Sequence, residues 1–544
     1  MPAFRLDVGL DRLATLTFDL PGKKVNVFNT ETILELEELV AELRSRTDIG
    51  ALVLLSGKPR TFIAGADVEL IARVTDPLEA EEASRLVHAI FAAWEALPFP
   101  TFSAVQGTCL GGGTEWSLAS TYILVSDRPD VRIGLPETKL GILPGWGGCV
   151  RLPRRVGIAA ALDMILQGKA VPGKAALKMG LADALVPDAT FLHHVRDFAL
   201  ERRDTRRPRP HGVDGTDLKE LLLERNALGR RLLFDQVRRK TLEATQGHYP
   251  APLRAIEVVR VGVESGAAAG FAAEARAIGE LATSEVAKNL IHVFHLMEEA
   301  KKDPPLPAGP GDGPREVRSL AVLGAGLMGG GIAQVAADQA GVRVRLRDIQ
   351  PEAIAKGLEH AAELFAKQVE RRRMTKAQVR QKMALLQPTL SLAGIAAADL
   401  VIEAVVEKLE VKQRVFAEVG AQAAADTVLA SNTSSLSIDA IARDTPGPER
   451  LVGMHFFNPV HKMPLVEVVL GPRTSASAAR TVAGFARRVG KTPVLVQDGP
   501  GFLVNRLLAF YMSEAMALLA EGHGMEVIDQ AMVDWGMPMG PVAL

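Results

Sequence analysis

This sequence predicts an α/β protein with two separate sites, on three observations. Residues 1–190 alternate strand-like and helix-like segments. Residues 321–348 set Gly324-Ala325-Gly326-Leu327-Met328-Gly329 between an apolar run and a later acidic residue, Asp348. Between these halves, residues 191–302 lose their strands and become charged material of helical period. At 544 residues the chain is too long for one hydrophobic core, and ordinary domain sizes suggest roughly three or four units.

Residues 1–20 alternate apolar and polar side chains in the manner of a strand, most clearly over 13–18. Ile33, Leu36, Val40 and Leu43 recur at helical spacing, and 51–55 is a short apolar run typical of a buried strand. The helical stretch after residue 190 is broken once, at Arg206-Arg207-Pro208-Arg209-Pro210-His211-Gly212, and its helices are expected to pack on a neighbour. Residues 303–314 hold five prolines and three glycines, a composition that cannot continue a helix and favours an extended spacer. Strand-like runs resume at 320–323 and alternate with helical segments through 400–404, 428–430 and 494–496. After Asp498-Gly499-Pro500-Gly501 the sequence reads as two helices, 502–520 and 526–534, too small a piece to have much core of its own. The expected division is an α/β domain over 1–190, a helical connector over 191–302, a linker over 303–314, a dinucleotide-binding domain over 315–498 and the start of an all-α domain over 499–544.

Composition excludes several classes. With 63 Lys+Arg against 64 Asp+Glu the net charge is −1, so no polybasic footprint for nucleic acid or membrane is expected, although 151–155 is locally basic. Only two cysteines occur, Cys109 and Cys149. They exclude a disulfide framework, suit a reducing compartment and lack metal-site spacing, so no metal is expected. Residues 1–20 lack a charged head followed by an apolar core, and no apolar run approaches membrane-spanning length. A cytoplasmic protein without a transmembrane segment is the expectation.

The first candidate site lies within 107–148. Leu110-Gly111-Gly112-Gly113-Thr114-Glu115 reads as a tight turn leading into a helix, where bare backbone N–H groups and the helix dipole favour negative charge. A thioester carbonyl placed there would become a stabilised enolate. A second N–H would be needed, and Ile63-Ala64-Gly65-Ala66-Asp67 offers another small-residue turn after a strand. Losing one such donor typically costs about 2.7–4 kcal/mol of transition-state stabilisation. Glu115 would stand one turn into the helix, and Glu137 lies in the loop Gly134-Leu135-Pro136-Glu137, ahead of the glycine-rich 141–148. Two carboxylates facing one water could divide base and acid roles, each worth on the order of 10²–10⁴ in rate. The residues alone leave a second reading open, in which both glutamates lie on the surface and the glycines only turn loops.

Taken together, Ala64-Gly65-Ala66-Asp67, Gly111-Gly112-Gly113 with Glu115, and Leu135-Pro136-Glu137 before Gly141 resemble the enoyl-CoA hydratase (crotonase) superfamily over roughly residues 1–190. The resemblance implies a crotonase-like α/β domain acting on coenzyme A thioesters. It also implies Ala66 and Gly112 as the oxyanion N–H pair, Glu115 handling the attacking water and Glu137 exchanging the α-proton. Two departures are visible: Thr121 stands where family hydratases usually have an aspartate, and 126–130 is longer than in close relatives. The fold also hosts isomerases, hydrolases and decarboxylases. Possession of both glutamates favours reversible hydration, and Δ3-Δ2 isomerisation through Glu115 is a further expectation.

The second candidate site begins at Gly324, Gly326 and Gly329. A lone glycine motif of this kind is weak, but here it follows a strand-like run, opens a helical segment and precedes Asp348 by 19 residues from Gly329. This context predicts a dinucleotide (Rossmann) fold. Asp348 would hold the adenosine ribose hydroxyls and repel a 2′-phosphate, favouring NAD over NADP, with Arg345 and Arg347 nearby as the opposing signal. His455, in Gly453-Met454-His455-Phe456-Phe457-Asn458-Pro459, is the candidate base, although a histidine among aromatic residues is more often a core residue. Glu467 is a charge inside an apolar strand-like run, costly unless paired. A His455–Glu467 pair answers that cost, the carboxylate orienting the imidazole and raising its pKa.

Ser431-Asn432-Thr433-Ser434, His455, Glu467 and Asn505 resemble L-3-hydroxyacyl-CoA dehydrogenase over roughly residues 316–544. In that family's terms His455 takes the 3-hydroxyl proton, Glu467 supports it, Ser434 and Asn505 hold the oxygen, and hydride passes to NAD. Glu407 and Lys412 match the family's stretch near the cofactor and the CoA, while as residues they read equally as two solvated charges on a helix. The order hydratase, connector, dehydrogenase is similar to the α-subunit of the fatty acid β-oxidation multienzyme complex, and Gly247-His248-Tyr249-Pro250-Ala251-Pro252 supports this in the connector. The resemblance implies hydration of trans-2-enoyl-CoA to (3S)-3-hydroxyacyl-CoA, NAD-dependent oxidation to 3-ketoacyl-CoA, and an oligomeric complex with a 3-ketoacyl-CoA thiolase β-subunit. Family members continue beyond Pro538-Met539-Gly540-Pro541 into further helices, so the C-terminal dehydrogenase domain is expected to be incomplete. The rival reading is a hydratase whose truncated dehydrogenase half is a non-catalytic NAD-binding or assembly module.

Overall fold

In the computed structural model, which describes residues 2–204, 224, 226–302, 305–307, 313–371 and 373–544, the alternating stretch at the start is a hairpin rather than one strand. Strand β1 (Phe4–Val8) and β2 (Leu13–Phe18) pair antiparallel, because the chain reverses at 9–12 with Arg12 in the left-handed region, φ 63°. β2 continues in parallel with β3 (Ala51–Ser56), and β5 (Thr101–Val105), β7 (Tyr122–Ser126) and β10 (Ala184–Val186) complete a six-stranded sheet in the order β1-β2-β3-β5-β7-β10. The helix Thr30–Leu43 starts at a reciprocal Asn29–Thr32 cap and buries Leu36, Val40 and Leu43, as the helical period requires.

A second sheet positions the first site. β4 (Thr61–Ile63), β6 (Thr108–Leu110) and β8 (Arg132–Gly134) are neighbours and parallel, with β9 (Ala170–Val171) antiparallel on β8. Parallel pairing brings the three C-terminal ends side by side, and each end runs into one of the turns singled out in the sequence: 64–67, 111–115 and 135–137.

The connector packs onto this α/β core. Helix Ala267–Ala282 lies along helix Pro77–Glu95 and meets helix Pro250–Glu264. Its Gly270 approaches Gly262 so closely that a Cβ would come within 2.7 Å of the opposing Cα. From helix Glu285–Ala300, Lys288 Nζ donates to the carbonyls of Ile71, Ala72 and Val74, satisfying the open end of helix Val68–Arg73. The chain forms two compact units, Met1–Phe294 and His295–Leu544, and the connector helices lie largely in the first. The basic break at 206–212 lies outside the described residues, as does most of 303–314.

The second unit is an eight-stranded sheet. β11 (Ser319–Leu323), β12 (Arg343–Arg347), β13 (Leu386–Thr389), β14 (Leu400–Glu403), β15 (Val428–Ser431), β16 (Leu451–Phe456), β17 (Leu465–Leu470) and β18 (Thr492–Gln497) are ordered β13-β12-β11-β14-β15-β16-β17-β18. Every pairing is parallel except β16 with β17. Strand order reverses between β11 and β14, where such sheets open a crevice at their carboxyl ends. The helices after the sheet span Val504–Ala520 and Met525–Trp535. The first starts two residues later than expected, because Phe502 sits at φ 49° and packs, 3% exposed, beneath the turn. Among the described residues no helix is long and apolar enough to cross a membrane.

Candidate active sites

At the first site, the turns after β4 and β6 touch. Gly65 has φ 105°, and a Cβ on it would come within 3.2 Å of Leu110 O and 3.7 Å of Gly112 N. Glycine is needed there for both conformation and closeness. Phe28 N donates to Gly65 O and Asp67 N to Phe28 O, which skips the intervening Ala66 N–H. Gly112 opens the helix Gly112–Ala119, so its N–H lies in the unsatisfied first turn. Among the described residues no backbone carbonyl accepts from either N–H. Two N–H groups from adjacent turns are thus available to one oxygen.

Glu115 is 2% exposed, which removes the surface reading for it. Its Oε1 accepts from Trp146 N (2.7 Å) and Gly148 N (2.8 Å), at the start of helix Gly148–Val156. Glu137 is half-buried, but its Oε2 is sealed from solvent without a hydrogen-bond partner, and a Cβ on Gly111 would lie 2.9 Å from its Oε1. Burial, with the neighbouring charges of Glu137 and Glu274, pushes the Glu115 carboxyl well above its usual range against the two N–H donors. Burial, with the charge of Glu274, pushes Glu137 up to about 8. Two carboxyls whose proton affinity burial has raised can exchange protons with a substrate in either direction. Among the described residues no group of three His, Cys, Asp or Glu is arranged to hold a metal.

Residues that the sequence reading missed complete this site. Glu274, from helix Ala267–Ala282, is fully buried and accepts from Gly147 N and from Cys149 N (2.9 Å), with His88 Nε2 at 2.9 Å. The available signal was its spacing: buried Gly270, Glu274, Ala277 and Leu281 follow a helical core stripe, so a carboxylate stands where an apolar side chain belongs. Trp146 packs its ring on Gly112, where a Cβ would fall 2.2 Å from Trp146 Cζ3.

At the second site, the glycine turn meets the geometry a dinucleotide requires. Gly324 adopts φ 97°, and a Cβ there would strike Ala404 O at 2.4 Å. A Cβ on Gly329 would strike Gly324 O at 1.8 Å, while one on Gly326 would meet nothing within 4 Å. The turn is therefore closed behind Gly324 and Gly329 and open above Gly326, at the start of helix Leu327–Val335, which fits a pyrophosphate on the backbone. Asp348 Oδ2 accepts from Ala325 N (2.8 Å), fixing the carboxylate beside the same turn.

The register of β16 on β17 places His455 directly opposite Glu467, and His455 Nδ1 lies 2.7 Å from Glu467 Oε2. The other carboxylate oxygen accepts from Leu503 N (3.0 Å) and Val504 N (2.9 Å) at the start of helix Val504–Ala520. Burial raises the Glu467 carboxyl, but the His455 bond and these N–H donors outweigh it and hold it below the usual range. With Nδ1 engaged, Nε2 is the nitrogen left for chemistry. Asn505 Nδ2 donates to Ser434 O (3.0 Å), and Glu407 Oε1 accepts from Thr433 Oγ1 (2.5 Å) and Ser434 N (2.8 Å).

Lys412 is not a solvated charge: it is 0% exposed, with Nζ 2.7 Å from the equally buried Glu403 and 3.0 Å from Glu407. It acts on the site through Glu407, which burial would raise but which Thr433, Lys412 and Ser434 hold below the usual carboxylate range. Glu403, a charge closing the apolar strand β14, was missed by the same oversight as Glu274.

Residues 11–205 match the enoyl-CoA hydratase/isomerase family, residues 319–499 the 3-hydroxyacyl-CoA dehydrogenase NAD-binding domain and residues 501–544 the 3-hydroxyacyl-CoA dehydrogenase C-terminal domain. Among solved structures, FadB2 of M. tuberculosis is 38% identical over 42% of this chain and 81% of its own, with a TM-score of 0.41. The (S)-3-hydroxybutyryl-CoA dehydrogenase PaaH1 of Ralstonia eutropha is 36% identical over 42% and 81%, also at 0.41. An enoyl-CoA hydratase of Geobacillus kaustophilus is 28% identical over 37% of this chain and 74% of its own, at 0.35. With an enoyl-CoA hydratase segment followed by both segments of a 3-hydroxyacyl-CoA dehydrogenase, the chain belongs to the fused multifunctional enzymes of these two families, which act on acyl-CoA thioesters with NAD.

Proposed function

We propose the following division of labour for a bifunctional enzyme of fatty acid β-oxidation. The thioester oxygen of a trans-2-enoyl-CoA accepts from Ala66 N–H and Gly112 N–H, which stabilise the enolate as it forms. Glu115 takes a proton from water as its oxygen adds at C3, and Glu137 delivers a proton to C2, giving the (3S)-3-hydroxyacyl-CoA. In the second unit His455 Nε2 takes the hydroxyl proton, Glu467 stabilises the imidazolium, and Ser434 and Asn505 hold the substrate oxygen. Gly324, Gly326 and Gly329 would hold the NAD pyrophosphate and Asp348 its adenosine ribose, and NAD when bound would accept the hydride as the 3-ketoacyl-CoA forms. The observation that carries the first half is the convergence of three parallel strand ends on two unengaged N–H groups, the buried Glu115 and the sealed Oε2 of Glu137.

The reading extends to Δ3-Δ2-enoyl-CoA isomerisation through Glu115, to domain limits near residues 190, 302, 314 and 498, and to an oligomer with a 3-ketoacyl-CoA thiolase β-subunit. The two buried free thiols favour a cytoplasmic setting. The test is NADH formation by the purified protein from a medium-chain trans-2-enoyl-CoA and NAD, with enoyl loss followed in the same cuvette. Both signals are expected. Enoyl loss without NADH would overturn the dehydrogenase half, and no enoyl loss would overturn the hydratase half.

A further inference from the structure

Four consecutive backbone N–H groups at the start of helix Gly148–Val156 are shared between two carboxylates in alternation. Trp146 N and Gly148 N donate to Glu115, while Gly147 N and Cys149 N donate to Glu274. The two acids approach this strip from different elements, Glu115 from helix Gly112–Ala119 and Glu274 from helix Ala267–Ala282 in the connector. Glu274 is itself anchored by His88 Nε2, and Ser84 Oγ, also on helix Pro77–Glu95, donates to Gly145 O at 2.5 Å. Gly147 has φ 106°, and a Cβ there would collide with Arg151, so this turn of the strip requires glycine.

We propose that Glu274 is a positioning residue of the hydratase site: through Gly147 N and Cys149 N it fixes the strip whose remaining two N–H groups orient the Glu115 carboxylate. The inference rests on the hydratase reading above. Physically, an unoriented strip of N–H groups could rotate a donor away from Glu115 or offer all four to it. A fully buried second carboxylate, otherwise costly, makes the alternating arrangement the only one in which every donor and both acids are satisfied. The ionisable groups that face the pair are Glu137, His88, Cys149 and Arg151, the last ion-paired with Glu95 at 2.9 Å. The charge of Glu274 also contributes, after burial, to raising Glu115 and Glu137.

Two variants separate these roles. Glu274→Gln must turn an N–H₂ group toward a backbone donor or toward His88, and it removes the charge. Hydration kcat is expected to fall on the order of 100-fold, as for a misplaced reacting group, with KM within about threefold. The acid limb of the pH–rate profile moves to lower pH, since the repulsion raising Glu115 and Glu137 is gone. Glu274→Asp keeps the charge but cannot span both N–H groups, so kcat falls while the limb stays in place. Wild-type kcat in either folded variant, or a loss of thermal stability alone, would overturn the proposal. If Glu274→Gln does not fold, the kcat of Glu274→Asp decides. Absence of hydration in the unmodified protein would instead count against the hydratase reading.

Discussion

The two sites use buried carboxylates in opposite ways. In the first unit the carboxyls of Glu115 and Glu137 lie near Glu274, no cation makes an ion pair with either of them among the described residues, and burial drives both pKa values up. In the second, Glu467 lies on His455 and two N–H groups, and Glu407 on Lys412, Thr433 and Ser434, and both pKa values go down. The difference matches the chemistry. Hydration moves protons on and off carbon and water, so its acids must change state near neutral pH. Hydride transfer needs one proton acceptor, and the fixed negative charges of the second site serve to hold that histidine and its surroundings.

The largest effect that could break this contrast is on rate. Glu137→Gln should lower hydration by about 10²–10⁴ while NADH formation from a supplied 3-hydroxyacyl-CoA persists, and His455→Gln should do the reverse. A single change that removed both activities from folded protein would refute separate sites.

Next in size is stability. Lys412→Met strands Glu403 at 0% exposure without its cation, and should cost the second unit about 3–5 kcal/mol in denaturant unfolding. An unchanged midpoint would mean that Glu403 is held by Val405 N and Ser431 alone.

Smaller again is the glycine pair. Gly329→Ala should destabilise the second unit by about 1–3 kcal/mol through collision with Gly324 O, whereas Gly326→Ala should fold normally and weaken NAD binding, read by calorimetry. Equal effects on folding would remove the distinction between the closed and open sides of the turn.

The most gradual effect is with pH. The folded pKa of Glu137 lies above its unfolded value of 4.5, so its stabilising contribution is full below pH 4.5 and is lost as pH rises toward about 8. Glu137→Gln lacks this loss, and its melting temperature should rise relative to the unmodified protein across that interval. Glu467 and Glu407 have the opposite sign: their contribution is present above the unfolded value and disappears as pH falls through their lowered folded values. A flat difference between variant and parent would mean that Glu137 is not raised.

Much of this was legible in sequence where the signal is local. The turns at Gly65, Gly111 and Gly324 advertise themselves because glycine adopts their positive φ without the strain a side chain would bring, and the strand before each fixes which way the turn faces. His455 and Glu467 were paired on burial cost alone, and the antiparallel register of β16 on β17 puts them opposite one another. The hairpin at the start was read as one strand, because alternation survives a four-residue reversal without glycine-rich spacing to mark it. Lys412 reads in sequence as a solvated charge, since nothing near it in the chain reveals that Glu403 is buried beside it.

The sequence by itself determined which local conformations are available: the glycine turns, the helix starts and the alternation of strand and helix that defines two α/β units. Only the tertiary structure decided which strand ends stand together and which distant side chains share a donor. The pairing of β4, β6 and β8 joins segments tens of residues apart, and Glu274 reaches Gly147 across 127 residues and His88 across 186. Such contacts arise from burying one helix against another, and the hydrophobic drive behind that burial is non-directional. It leaves no local spacing rule to read, so the third carboxylate of the hydratase site emerges only when the chain is folded.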